Sequence, residues 1–344
     1  MRRPKSELRS LLTNLTGTFE APADWSPLLQ LATDSLTIGS LSYRVLQSAP
    51  PAAIPGEVAD LLKDVQARAK KRNQRLKRQF FELLPVLNSI GVQPIVMRGM
   101  ASLLPNKRDT GRILSDIDLL VPAERREETI EALRSLGYQI FQGFHGPPFS
   151  VVLGRSRDVG MVDLHTDIQP YVLEVDYHRL APLCRKSSIS AGDLLLPTPT
   201  CALVLLILHD QLHDADYWRG LIDVRHLVET PGFVSSGVDW ETVEGFFPSG
   251  AARNAMNVHL RTAKELLGID IPEEQCGGGW ARFQFKRRLL QLRVPLLMRL
   301  LTFFTALVDR PLKPPKTYKP RRSIAKRLEF QFGRALRPVN AGKV

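Results

Sequence analysis

The sequence predicts an α+β fold: a small sheet-bearing core flanked by N-terminal helices and a C-terminal helical domain. Two observations carry this. Between residues 91 and 170, short β-like runs alternate with amphipathic stretches, which is the order of a small sheet flanked by helices. On either side of that window the apolar residues recur at helical spacing instead.

Residues 1–23 read as a polar, basic lead-in, and residues 24–90 as an N-terminal helical segment. Leu28, Leu29, Leu31, Leu36, Leu41 and Leu46 fit short helices, which Pro50-Pro51 and Pro55-Gly56 interrupt. Residues 57–90 read as one long helix, with Val58, Leu62, Val65, Ala69, Leu76, Phe80, Leu84 and Leu87 on its apolar stripe. Gly91 then ends it as a C-cap. The cationic middle of this helix, residues 68–78, reads as a solvated face.

In the core, Val92–Met97 reads as a strand and Met100–Leu104 as the start of a helix that Pro105 limits. Ser115–Val121 is the next strand. Glu124–Leu136 is a helix with acidic residues in its first turn and Gly137 at its end. Tyr138–Gln142, Phe149–Leu153 and Gly160–Ile168 read as further strands. Residues 171–276 read as the C-terminal helical domain. It contains a nearly continuous apolar helix at Thr200–Leu212, then helices at Trp218–Glu229, Trp240–Phe247 and Ala251–Leu267. Gly277-Gly278-Gly279 marks a joint.

The net charge of +12 is unevenly placed. Residues 280–344 hold 17 Lys/Arg against 2 Asp/Glu, a net of +15, so the rest of the chain is close to neutral. The basicity belongs to a tail, which argues against a nucleic-acid binder built over the whole surface. Leu289–Val308 is long and apolar, but Arg293, Pro295 and Arg299 inside it speak against a membrane span and for a basic amphipathic segment. An anionic membrane surface is its first expected partner and nucleic acid its second. Residues 310–323, with four Pro and six Lys/Arg, read as extended or disordered. Three widely spaced cysteines and no signal-type apolar core point to a reducing, cytoplasmic setting, peripheral to the inner membrane face through the tail.

The most informative stretch is Ser115-Asp116-Ile117-Asp118-Leu119-Leu120-Val121. Alternate side chains of a strand share a face, so Asp116 and Asp118 point the same way, about 7 Å apart. Two like charges on one strand face suit a cation held between them. Asp163, in the later apolar run Val162-Asp163-Leu164-His165, completes a three-carboxylate cage of the kind Mg²⁺ occupies with substrate phosphates. His165 shares the face of Asp163. Bare ion pairing of these carboxylates with nearby Arg is the alternative.

The ordered set Gly99, Arg112-x-x-x-Asp116-Ile117-Asp118-Leu119-Leu120-Val121, Leu136-Gly137-Tyr138, Val162-Asp163-Leu164-His165, Leu208-His209-x-x-x-His213 and Leu221-Ile222-Asp223 resembles an uncharacterised bacterial branch of the polymerase-β-like nucleotidyltransferases. The likeness spans roughly residues 25–270. It implies a minimal mixed-sheet catalytic core over 91–170 and transfer of a nucleoside monophosphate from an NTP to an unidentified acceptor. Two Mg²⁺ ions, or Mn²⁺ in their place, would be held by Asp116, Asp118 and Asp163, with Asp163 on the acceptor side. Arg98, Gly99, Ser102 and Arg112 are the phosphate-binding candidates, and His165, His209, His213 and Asp223 the acceptor-side ones. Two departures stand out. Met100-Ala101 follows Gly99 where the superfamily carries a Ser, and Arg98 stands where this branch commonly has Lys.

Two other readings compete. A catalytically weak relative would act as a binding protein docked by its basic tail. Alternatively, His209, His213, Asp223 and His226 would form a second metal centre of hydrolase type, although they read more simply as a polar seam facing the cleft.

Overall fold

The computed structural model describes residues 4–104, 110–141, 150–168, 175–212, 222–248 and 250–293. Four helices precede the sheet: α1 (Pro4–Thr16), α2 (Trp25–Asp34), α3 (Ile38–Ser48) and the long α4 (Gly56–Ser89). The lead-in expected over residues 1–23 thus contains α1, whose Leu8, Leu11, Leu12 and Leu15 are buried on one face. Gly91, at φ +75°, turns the chain after α4, and the Val92 amide bonds back to Leu87 O. That bond explains why the first strand starts later than the apolar run suggests, as the two-residue β1 (Ile95–Val96).

A short helix, α5 (Arg98–Ser102), then leads into β2 (Asp116–Leu120), α6 (Arg126–Ser135), β3 (Gln139–Ile140), β4 (Ser150–Gly154) and β5 (Met161–His165). Gly137, at φ +88°, closes α6 as its sequence position suggested. After α7 (Tyr177–Leu180) comes a hairpin, β6 (Cys184–Ile189) and β7 (Gly192–Pro197), inside the region that the sequence assigned to the helical domain. It extends the sheet rather than the helices. The mixed seven-stranded sheet runs β3-β4-β5-β2-β1-β7-β6, with β2 parallel to β5 and β1 parallel to β7. The hairpin is docked on the end of α4 by Asn88, whose Nδ2 donates to Asp193 O and whose Oδ1 accepts from the Asp193 amide. A side chain at Gly192, φ +139°, would collide with that asparagine.

The two faces of the sheet are buried by different elements. Ile117, Leu119, Val162 and Leu164 share a core with Leu76, Phe80, Leu83 and Leu84 of α4 and with Ile130 and Leu133 of α6. On the other face Ile95, Leu120 and Leu195 belong to a second core, shared with α1 to α3 and with α8 (Pro199–Leu212). Alternation along β2 therefore puts Ile117 and Leu119 under α4 and α6, and Asp116 and Asp118 on the face turned to the helical domain.

The helical domain continues with α9 (Val224–Leu227), α10 (Thr230–Ser235), α11 (Trp240–Phe246), α12 (Gly250–Leu267) and α13 (Gly279–Arg293). The glycine joint is partly fixed. Gly277 lies at φ +64° against Asn257, and its carbonyl accepts from buried Arg261. In α13, Ala281, Gln284, Arg287 and Arg288 are buried, so the first turns of the basic segment are built into the domain. No helix of the described residues is long and apolar enough to cross a membrane. The apolar run beyond Arg293 and residues 310–323 lie outside the described residues. The sulfurs of Cys184 and Cys201, far apart in sequence, lie 3.8 Å from each other.

Candidate active site

Strand pairing builds the site. Parallel β2 and β5 pair Asp118 with Asp163 in register, and Leu120 with His165 one step further. Residues paired in this way project to the same face, so both carboxylates and the imidazole converge. Ligand atoms of Asp118, Asp163 and His165 all lie within 4.8 Å of one another, the group of this kind found among the described residues. His165 Nε2 is 3.2 Å from Asp163 Oδ2 and 3.7 Å from Asp118 Oδ1, close enough for charge attraction. Asp116 shares the face two residues earlier but stands outside that tight group. It borders an open cleft of about 1290 Å³, whose walls include Arg72, Phe141, Gly154 and Met161.

The charges are strongly coupled. Burial raises the Asp116 carboxyl, and the neighbouring Asp118 charge raises it further. Burial alone would raise Asp118 too, but Arg98 and His165 outweigh it and hold that carboxyl below its usual range. For His165 burial works against the charged form, yet Asp118 and Asp163 overcome it and push the ring up to about 9. Arg98 Nη1 donates to Asp118 Oδ1 at 2.6 Å. Asp163 Oδ1 is buried and has no hydrogen-bond partner.

The phosphate-side candidates are placed unevenly. Arg98 opens α5 with a left-handed backbone, φ +52°. Gly99 is needed for packing, since a Cβ there would lie 2.4 Å from a Leu114 methyl. Ser102 donates its hydroxyl to Gly99 O at 2.6 Å, a bond internal to α5. Arg112 reaches across to the helical domain and ion-pairs with Glu229, while its charge still bears on Asp118. Glu229 was not singled out in the sequence, because nothing local links it to a residue 117 positions away.

The solvated reading of the middle of α4 holds for Lys70, Lys71, Arg75 and Arg78, which are exposed, but not for its inner residues. Arg72 donates to Leu114 O and Ser115 O, and Asn73 bonds Arg112 O and the Leu114 amide. These contacts hold the segment that leads into β2.

The second constellation gathers differently. His209 on α8 packs against His226 with the rings tilted by 51° and their centroids 4.5 Å apart. Asp223 is the N-cap of α9, accepting from the Arg225 and His226 amides, and it also pairs with Arg225 Nη2 at 2.8 Å and His226 Nδ1 at 2.9 Å. Burial would raise the Asp223 carboxyl, but His226 and Arg225 overcome it and hold it well below the usual range. His213, Lys107 and Arg108 lie outside the described residues.

The donor set on β2 and β5 fits a hard divalent cation: carboxylate oxygens in register, one of them buried and unpartnered. A strand-borne Asp-x-Asp thus faces a third carboxylate on the parallel neighbour. Residues 21–268 match the family described as uncharacterised nucleotidyltransferase, and the chain belongs to that family. Among solved structures it is similar to an antigenic nucleotidyltransferase-like protein from Paracoccidioides brasiliensis. Identity there is 19%, the match covers 57% of this chain and 91% of that one, and the TM-score is 0.39. No curated protein matches this chain.

Proposed function

We propose that this chain is a metal-dependent nucleotidyltransferase, which moves a nucleoside monophosphate from an NTP to the hydroxyl of an acceptor. The observation that carries the reading is the in-register pair Asp118 and Asp163, with Asp163 Oδ1 buried and unpartnered among carboxylates that repel one another. Asp116, Asp118 and Asp163 would hold the divalent cations, Mg²⁺ or Mn²⁺. Bound there, the metal would neutralise the reacting phosphates and lower the cost of the developing charge. Arg98 and Arg112 bind the triphosphate, Arg112 being aimed by Glu229.

Asp163 lies on β5, away from α5, and takes the proton of the acceptor hydroxyl. The freed oxygen bonds to the α-phosphorus, and the bond to pyrophosphate breaks. His165 steadies Asp163 and Asp118 by its charge. The test is an acceptor screen with NTP labelled at the α-phosphate, in Mg²⁺ and in Mn²⁺. Label should move to an acceptor with release of pyrophosphate. Loss of Asp163 should lower kcat more than it raises the NTP KM. A variant that loses only NTP affinity would remove Asp163 from the acceptor side.

The basic residues beyond Arg293 form a second part of the proposal. They number 12 Lys/Arg against 2 Asp/Glu and would hold the protein to an anionic membrane surface. The full chain should bind anionic vesicles in a salt-sensitive way, and a chain ending at Arg293 should not. Equal binding by the two would rule this out.

A further inference from the structure

Asp118 already has a cation of its own. Arg98 Nη1 lies 2.6 Å from Asp118 Oδ1, with the carboxylate side chain only 4% exposed and that of the arginine 24% exposed. A metal ion on the same oxygen would place a dication and a guanidinium within about 4 Å, where they repel each other. The two therefore compete. Asp163 keeps one oxygen outside this competition: Oδ2 faces His165 at 3.2 Å, but Oδ1 has no partner.

The backbone around Arg98 is held. The preceding Met97 amide bonds Asp118 O, and Gly99 packs tightly on Leu114. Only the long arginine side chain is free to leave, and it is the part that reaches solvent. Its fork of donors matches a phosphate at least as well as a carboxylate. A triphosphate arriving with its cation supplies both a replacement for the guanidinium at Asp118 and a new partner for Arg98.

Resting on the functional reading above, we propose that Arg98 is a built-in counter-ion that competes with the divalent cation for Asp118 and transfers to the triphosphate when nucleotide and metal bind together. Bare metal then binds weakly, metal and nucleotide bind cooperatively, and the coupling is reciprocal. Arg98 is a switch between two partners, not a fixed phosphate contact.

Calorimetric titration of the full chain with Mn²⁺ alone, and then with a non-hydrolysable NTP, tests this without turnover. Arg98→Gly suits the left-handed backbone and removes the guanidinium. It should bind Mn²⁺ alone about tenfold more tightly than the parent chain. It should also bind the nucleotide more weakly and show less enhancement of either ligand by the other. Arg98→Lys keeps the charge and should stay near the parent in Mn²⁺ affinity. Should Arg98→Gly fail to fold, Arg98→Gln carries the same comparison. Unchanged or weaker Mn²⁺ binding in the Gly or Gln variant, with Asp118→Asn abolishing the binding, overturns the counter-ion role and leaves the metal site standing. Mn²⁺ binding that survives Asp118→Asn overturns the functional reading itself.

Discussion

Histidine meets carboxylate in the helical domain and again on the sheet, and the two meetings differ. In the helical domain, Asp210 Oδ2 accepts from His259 Nδ1 at 2.6 Å, and His259 Nε2 meets the Thr230 hydroxyl at 2.9 Å. Gln211 bonds Asp210 in turn, and Arg288 of α13 donates to Gln211 Oε1 at 2.8 Å. On the sheet, by contrast, three carboxylates share one face, Asp163 Oδ1 has no partner, and the counter-charge comes from Arg98 and His165. The first cluster resembles a Thr-His-Asp triad in outline, yet its histidine and threonine are fully buried. A buried histidine with a partner on each ring nitrogen makes a scaffold. Repelling charges with an unused oxygen mark the candidate site.

The difference can be broken from either side. On the sheet, Asp118→Asn should reduce nucleotidyl transfer by about three orders of magnitude. It should also destabilise the fold, by about 1–3 kcal/mol, because it strips Arg98 of its partner. Asp116→Asn should cost as much activity but leave the melting temperature unchanged or raised, since burial and Asp118 both oppose its charge. Thermal melts of the two variants beside one activity assay check this. Equal destabilisation would mean that Asp116 and Asp118 are not electrostatically distinct.

In the helical domain the order reverses. His259→Ala should cost about 3–5 kcal/mol by leaving Asp210 buried without its main partner. What remains folded should keep its turnover per molecule. Turnover lost ahead of stability would promote this network from scaffold to site.

Removing α13 belongs to the same test. A chain ending at residue 278 loses the Arg288 bond to Gln211 and the buried Ala281 and Gln284, so it should aggregate or melt without cooperativity. A well-behaved truncated chain would show that the network does not depend on the basic helix.

The smallest effect concerns pH. Asp223 is held below its unfolded value of about 3.9 by His226 and Arg225. Its contribution to stability is therefore fully present above about pH 4, starts to fall below that, and is lost as pH drops through the depressed folded-state value. In Asp223→Asn the acid side of the melting curve should flatten, which differential scanning calorimetry from pH 3 to pH 7 would show.

Parts of this picture were legible in the sequence because the signals are local. Alternation along β2 placed Ile117 and Leu119 inward and the carboxylates outward, and Gly91 and Gly137 marked helix ends through their positive φ. Leu8, Leu11, Leu12 and Leu15 carry the same helical spacing, but the basic residues around them masked α1 as a lead-in. The β6–β7 hairpin escaped because Cys184-Arg185-Lys186-Ser187-Ser188 forms an edge strand with no apolar alternation, and because the hairpin is held to α4 through β7, where Asn88 bonds Asp193, 105 residues away. Long-range pairs such as Arg112 with Glu229 leave no trace in spacing. The register of Asp118 with Asp163 likewise had to come from the sheet, since sequence places them on two strands but does not pair the strands.

The most direct test of the central claim is a crystal soaked with Mn²⁺ and a non-hydrolysable NTP, read by anomalous scattering. The expected result is manganese density bonded at about 2.1 Å to carboxylate oxygens of Asp118 and Asp163, with Asp116 within reach and Arg98 turned to the phosphates. Manganese among His209, Asp223 and His226, with none on β2 and β5, would contradict it.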